Sequence, residues 1–232
     1  ERERMAAAYP DHEVQARTMG VPMMGEGRLF KQAEESVVIE PLDLPPHWAR
    51  INGMDFGIDH PFGFAAVAWD RSRDILYVYD SERVSGGNIP QHAAILKRYG
   101  QWIAVSWPHD GLKRTQAART VGPEIFKLYS RENVNMLSRS ARYQNDIGGA
   151  QDQWIIIEEI KERERTGRIK YFKTCTALIE ERRNYHTKDG KIVAVRDDAL
   201  KAMFYAVMMR RYATTGVETA PPPMAAILTM RR

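Results

Sequence analysis

The chain has 232 residues, 44% of them hydrophobic and 28% charged, which is enough apolar material for the core of one domain with tails. Lysine and arginine exceed aspartate and glutamate by 34 to 30. This mild excess is compatible with a polyanionic partner, while the undepleted acids suit an enzyme holding divalent cations beside phosphates better than a nucleic-acid coat. A single cysteine, Cys175, excludes an internal disulfide framework and a cysteine-rich zinc site, and apolar runs such as 154–157 and 203–209 are far shorter than the roughly 20 residues of a membrane span.

The first residues, Glu-Arg-Glu-Arg, lack the apolar stretch of a secretory leader, and a start at Glu1 reads as an internal cut in a longer protein. Residues 1–48 read as a linker or lead-in: a helix over Met5–Thr18 interrupted by Pro10, then Gly20, Pro22, Gly25 and Gly27, then Pro41, Pro45 and Pro46. The compact domain is expected over residues 49–213. Ile51–Ile58, Phe64–Trp69 and Ile75–Tyr79 form three consecutive strands with short turns, an antiparallel meander. A helix opens at Asn88 or Pro90 and reaches Tyr99, with Gly100 as its stop.

Gln101–Ser106 is a fourth strand, Leu112–Ser130 a second helix and Val134–Leu137 a short fifth strand, which suggests parallel additions to the meander through right-handed crossovers. A third helix spans Gln151–Arg165, its Lys161–Arg168 portion reading as a solvated charged face. Ile169–Phe172 is extended, Thr174 or Thr176 caps a helix toward Tyr185, and Asp189-Gly190 makes a tight hairpin turn. Asp197 or Asp198 caps a last helix, Ala199–Tyr212, and 214–232 reads as a flexible tail with Pro221–Pro223. The fold class is α/β, a mixed sheet of meander and parallel strands flanked by helices.

Three acidic positions stand out. Asp55 sits among apolar residues in Gly53-Met54-Asp55-Phe56-Gly57, so its strand buries it at a cost that a cation would offset. Asp110 follows the fourth strand; if that strand pairs parallel with the first, both acids lie at carboxyl ends roughly 5 Å apart. The Asp197-Asp198 pair exceeds what one helix cap needs, so one can cap while the other faces a metal. Taken singly, a turn or a cap explains each. Jointly, three hard oxygen donors suit Mg²⁺ or Mn²⁺, and two such ions can activate water and stabilise the leaving oxygen of a phosphodiester.

This order of motifs resembles the RNase H-like nuclease domain of tailed-phage large terminase subunits, the DNA-packaging motor proteins, over roughly residues 15–213. The resemblance is carried by Arg17-Thr18-Met19-Gly20-Val21-Pro22 with Gly25-Glu26-Gly27, by Gly53–Gly57, by Trp107-Pro108-His109-Asp110-Gly111, by Tyr185–Gly190 and by Asp198–Ala206. It implies an RNase H-like fold and a metal-dependent endonuclease that cleaves concatemeric viral DNA. It also implies two ions held by Asp55, Asp110 and an aspartate of the 197–198 pair, with Asp198 favoured. Relatives often carry another aspartate where this chain has Lys201. Double-stranded DNA, the portal protein and the small terminase subunit are the implied partners, the infected bacterial cytoplasm the implied location, and the isolated domain is expected to be a monomer without membrane contact. Such terminases also carry an N-terminal ATPase, and no Gly-x-x-x-x-Gly-Lys-Ser/Thr loop occurs in this chain.

Lys113, Arg114, Arg139 and Arg142 flank the expected carboxyl edge of the sheet as phosphate contacts. His60 and His109 lie beside the acids as supporting groups, and Glu180 and Glu181 read as surface ion-pairing residues. Two other classes compete. One is a non-catalytic DNA-binding or portal-docking module. The other is an actin-like kinase, which needs a second glycine-rich phosphate loop that this sequence lacks.

Overall fold

The computed structural model describes residues 27–57, 60–117, 120–143, 153–193 and 195–216, with the side chains of 114–122 left aside. The expected helix at Met5–Thr18, the 17–26 motif up to Glu26 and the Pro221–Pro223 tail lie outside these residues.

A six-stranded sheet carries the domain. Its strands are β1 (Val38–Ile39), β2 (Ala49–Asp55), β3 (Phe62–Asp70), β4 (Ile75–Val84), β5 (Ala104–Ser106) and β8 (Ile169–Phe172). Their spatial order is β1-β8-β4-β3-β2-β5. β2, β3 and β4 form the antiparallel meander, β5 adds parallel to β2, and β8 adds parallel to β4 with β1 parallel beyond it. The predicted fifth strand, 134–137, survives as one parallel bridge from Met136 to Val105. The middle strands are buried on both faces and read as apolar runs such as Phe64–Ala68.

The helices are α1 (Glu34–Val37), α2 (Ile89–Leu96), α3 (Ile125–Arg131), α4 (Gln153–Arg165), α5 (Thr176–Asn184) and α6 (Asp198–Met208). Asn88 opens α2 with a reciprocal capping box to Gln91, and Pro90 sits in its first turn, where a missing N–H costs nothing. The chain after α5 makes a small hairpin, β9 (Thr187–Lys188) and β10 (Lys191–Ile192), and its turn residues Asp189 and Gly190 take φ of 50° and 73°, as a primed turn requires.

Three expectations are corrected. The continuous helix over Leu112–Ser130 is instead a 3₁₀ turn (His109–Leu112), an antiparallel hairpin of β6 (Arg114–Ala117) and β7 (Thr120–Glu124), and only then α3. Pro123 lacks the N–H a helix interior needs, and Gly122 with the β-branched Thr120 and Val121 favours extended backbone. The Lys161–Arg168 stretch is not a solvated face throughout, because Arg163 and Glu164 are buried. Residues 27–48 are built into the body of the domain: Leu29, Phe30 and Val37 belong to the core, β1 edges the sheet, and Leu29 N–H bonds the Tyr185 carbonyl.

Glu164 is the centre of that last attachment. Its carboxylate takes Arg182 Nε at 2.6 Å and Nη2 at 2.8 Å and the Tyr171 hydroxyl at 2.9 Å, with both charged side chains fully enclosed. Arg182 also bonds the Gln32 carbonyl and faces the Phe30 ring, so one ion pair joins α4, α5, β8 and the lead-in. Removing one partner leaves a buried charge uncompensated: Glu164→Ala should lower unfolding free energy by about 3–5 kcal/mol, read from the urea midpoint.

The sheet positions α6 through two glycines. A Cβ on Gly53 would collide with the Ala202 carbonyl, and one on Gly63 with the Asp198 carbonyl. Helix and sheet backbones therefore touch, and the first turn of α6 is pressed onto the end of the meander. Gly63→Ala should destabilise the fold by about 1–3 kcal/mol or more, measured by urea denaturation, since the clash is with backbone that cannot rotate away.

Candidate metal centre

Asp55 is the last residue of β2, and its Cα partner across the antiparallel pair is Gly63. The absent side chain at Gly63 admits the Asp198 backbone, so the first turn of α6 arrives beside Asp55. Asp55 and Asp198 are 6% and 5% exposed, a depth at which carboxylates require compensation. His60, from the turn between β2 and β3, completes a trio: one ligand atom from each of Asp55, His60 and Asp198 lies within 4.8 Å of the others.

Asp198 is the most heavily contacted of the three. Its Oδ1 lies 2.8 Å from His60 Nδ1, and its Oδ2 accepts from Arg83 Nε at 2.7 Å. Asp197, equally buried, has Oδ1 3.2 Å from Lys201 Nζ, while Oδ2 has no hydrogen-bond partner. Although Asp197 stands at the N-cap position of α6, its side chain makes no cap bond. Glu181, from α5, fills that role by accepting the Leu200 N–H at 2.7 Å. Its other oxygen is buried without a hydrogen bond, 3.7 Å from Arg83 Nε.

Burial pushes the Asp55 carboxyl up to about 6; His60 and Lys201 pull it down, and Asp198 and Asp197 push it further up. Burial likewise pushes Glu181 up to about 8, its bond from Leu200 opposing this and the negative Asp198 and Asp197 reinforcing it. Tyr205, half-buried on α6, has its hydroxyl pKa raised by burial first and then by Asp55, Asp197 and Asp110 in turn. Three predicted acids thus lie within electrostatic reach of one hydroxyl.

Asp110 is the member held apart. β2 and β5 do run parallel, in the register Gly53 to Ser106, so Asp55 ends one strand and Asp110 follows the other at the same edge. The Asp110 side chain is exposed, however, and pairs with Lys113 at 3.2 Å. His109 opens the same 3₁₀ turn and is exposed. Lys113, Arg139 and Arg142 are exposed too; the Ala141 N–H bonds the Trp107 carbonyl, which fixes 139–142 near the end of β5. For Arg114, only the backbone is described.

Sequence reasoning missed Arg83 and misread Glu181, taken as a surface residue. Arg83 lies in a strand ten residues long, in the register that places it opposite Gly63. Glu181 lies between the exposed Glu180 and the buried Arg182, one step round the helix from solvent. The helical period, counted from the buried Leu178, places Glu181 and Arg182 inward, and that was the available sign.

Residues 52–210 match the sequence profile of the terminase RNaseH-like domain. The chain belongs to this family. It is 35% identical over 214 residues to the terminase large subunit of Salmonella phage P22, an alignment that takes in 92% of this chain and 42% of that protein. The chain therefore spans less than half the length of that relative. The P22 large terminase nuclease domain superposes with a TM-score of 0.73 at 33% identity, covering 83% of this chain and 97% of the other. The large terminase nuclease of thermophilic phage G20c, solved with bound cobalt, shares the fold at 16% identity and a TM-score of 0.54, over 80% of this chain and 97% of that one. The RNase H-like fold and the correspondence to a large-terminase nuclease domain follow.

The raised carboxyls have a thermodynamic consequence. An acid with a folded pKa above its unfolded value stabilises the fold while protonated and loses that contribution as pH rises between the two values. For Asp55 the window runs from about 4 to about 6, and for Glu181 from about 4 to about 8. Without divalent ions, the melting temperature of the chain should fall as pH rises from about 6.5 to 8, and Glu181→Gln should flatten that slope, as read by calorimetry.

Proposed function

We propose that the domain is a metal-dependent DNA endonuclease that cleaves concatemeric viral DNA during genome packaging, hydrolysing phosphodiesters with two divalent ions, Mg²⁺ or Mn²⁺. Its ligands are Asp55, Asp110 and Asp198, with Asp197 beside them. Its setting is the cytoplasm of the infected bacterial host, with the portal protein and the small terminase subunit as partners in the packaging motor. The observation that supports this most strongly is the convergence of buried Asp55 and Asp198 with His60, next to two further carboxylates that keep a buried oxygen without a partner.

The donor set suits the ions. Carboxylate oxygens are hard ligands, and the nearby cations Arg83 and Lys201 offset only part of the negative charge gathered by Asp55, Asp197 and Asp198. Bound divalent ions supply an activated water and charge stabilisation at the departing oxygen of a phosphodiester. Asp55 and Asp198 are fixed by strand end and helix start, so they need little rearrangement to act as ligands. Asp110 joins them by exchanging its exposed pairing with Lys113, a contact worth about 0–1 kcal/mol. That exchange releases Lys113 to a phosphate, beside Arg139 and Arg142 on the same edge. Asp198 is favoured over Asp197 as the third ligand because its carboxylate, and not that of Asp197, lies in the trio with Asp55 and His60. His60, on the open side of the trio with 43% of its side chain exposed, is placed to orient a water or a phosphate oxygen.

The test is plasmid cleavage by the 232-residue chain. With Mn²⁺ it should convert supercoiled DNA to nicked and linear forms, and a chelator should stop it. Asp55→Ala and Asp198→Asn should each reduce cleavage to background while circular dichroism stays unchanged. Folded protein that fails to nick at any divalent concentration, or an Asp55→Ala chain that cuts as well as the parent, would contradict the proposal. Binding provides an independent measure: Mn²⁺ at 100 times its dissociation constant should stabilise the parent by about 2.7 kcal/mol and leave Asp198→Asn unshifted.

A further inference from the structure

We infer that Glu181 is a positioning residue for the metal centre, capping α6 from the neighbouring helix so that both aspartates at the helix start stay free of capping duty. This rests on the nuclease reading and deepens it.

A helix start leaves its first backbone N–H groups unpaired, and an Asp at the N-cap ordinarily turns back to satisfy one of them. Asp197 occupies that position and does not turn back. Had it done so, its carboxylate would be committed to the backbone, and Asp198 would be the one acid of the pair left for the site. The unpaired Leu200 N–H is instead taken by Glu181 Oε2 at 2.7 Å, from a side chain 19 residues earlier. The capping oxygen thus comes from α5 and is brought by tertiary packing.

The same carboxylate reaches toward Asp198. Arg83 Nε lies 2.7 Å from Asp198 Oδ2 and 3.7 Å from Glu181 Oε1, so Arg83 stands between the two acids. Glu181 therefore fixes the first turn of α6 by its backbone and stands behind the cation that holds Asp198 by its side chain. Asp198 Oδ1 is left on the His60 side, within the trio. Glu181 is 4% exposed, deep for a residue whose only purpose is solubility. In this arrangement Glu181 acts through the ligands it orients. Residues that orient metal ligands in this way typically matter by about 10–100-fold in metal affinity or activity.

The reach of the side chain and its ability to ionise can be separated. Glu181→Gln keeps an oxygen at the distance of Leu200 N–H and cannot ionise. Glu181→Asp can still ionise and is one methylene too short. Mn²⁺ affinity of the 232-residue chain, measured by isothermal titration without DNA, should be close to parental in Glu181→Gln and about 10–100-fold weaker in Glu181→Asp. Amide exchange at Leu200 in the metal-free chain should quicken in Glu181→Asp and stay slow in Glu181→Gln. The reverse order of affinities would overturn the inference and make the Glu181 charge itself a metal-binding element, as would weakened binding in Glu181→Gln taken alone should Glu181→Asp fail to fold. A parent chain that binds no Mn²⁺ defeats the positioning role together with the nuclease reading. A parent that binds Mn²⁺ equally to both variants defeats the positioning role only.

Discussion

The contact of α6 with the end of the meander is the constraint on which the site depends. Two strand positions without side chains, Gly53 and Gly63, let the helix backbone rest on the sheet, and one of the touching atoms is the Asp198 carbonyl. Because Asp55 is the cross-strand partner of Gly63, that contact places two acids from sequence positions 143 apart side by side. The same closeness excludes water, so the carboxylates gather where their charge is least well solvated. Burial raises Asp55 and Glu181, and Asp197 and Asp198 add to the effect. The fold thus maintains a concentration of negative potential that the neighbouring cations, Arg83 and Lys201, only partly relieve.

The rest of the domain keeps that contact rigid. Phe56, directly after Asp55, packs its ring 5.5 Å from Tyr129 and 6.3 Å from Trp107, while Phe62, just before Gly63, stacks on His92 at 4.0 Å. The strand ends that carry Asp55 and lead to Asp110 are therefore pinned to α2 and α3 by aromatic packing. On the far side, the enclosed Glu164–Arg182 pair secures α5, one residue from Glu181. The carboxylates of α5 and α6 are therefore anchored to different parts of the core, and their relative position is held from two directions.

Much of this was legible in the sequence. The meander, the parallel additions and the start of α6 could be read because alternating and apolar runs, turn residues and the acidic pair are local features. β8 fell on its predicted residues, Ile169–Phe172. The helix expected over Leu112–Ser130 gives way to a 3₁₀ turn and a hairpin because Pro123 cannot sit in a helix interior. Arg83 and Glu181 were obscured for a different reason. A charged residue on a mostly polar element is normally solvated, and only tertiary packing, here the close seat of α6, turns it inward. Asp110 was correctly expected at the carboxyl end of the strand parallel to β2, yet its side-chain rotamer, which sets its pairing with Lys113, is a matter of local electrostatics that strand pattern does not encode.

The central claim is that buried acids brought together by the helix–sheet contact exist to hold divalent ions. Anomalous diffraction from crystals of this chain soaked in Mn²⁺ tests it most directly. The account predicts anomalous peaks bonded to carboxylate oxygens of Asp55 and Asp198, with Asp110 turned away from Lys113 toward them. Ions confined to exposed surface acids, with no peak beside Asp55 or Asp198, would contradict it.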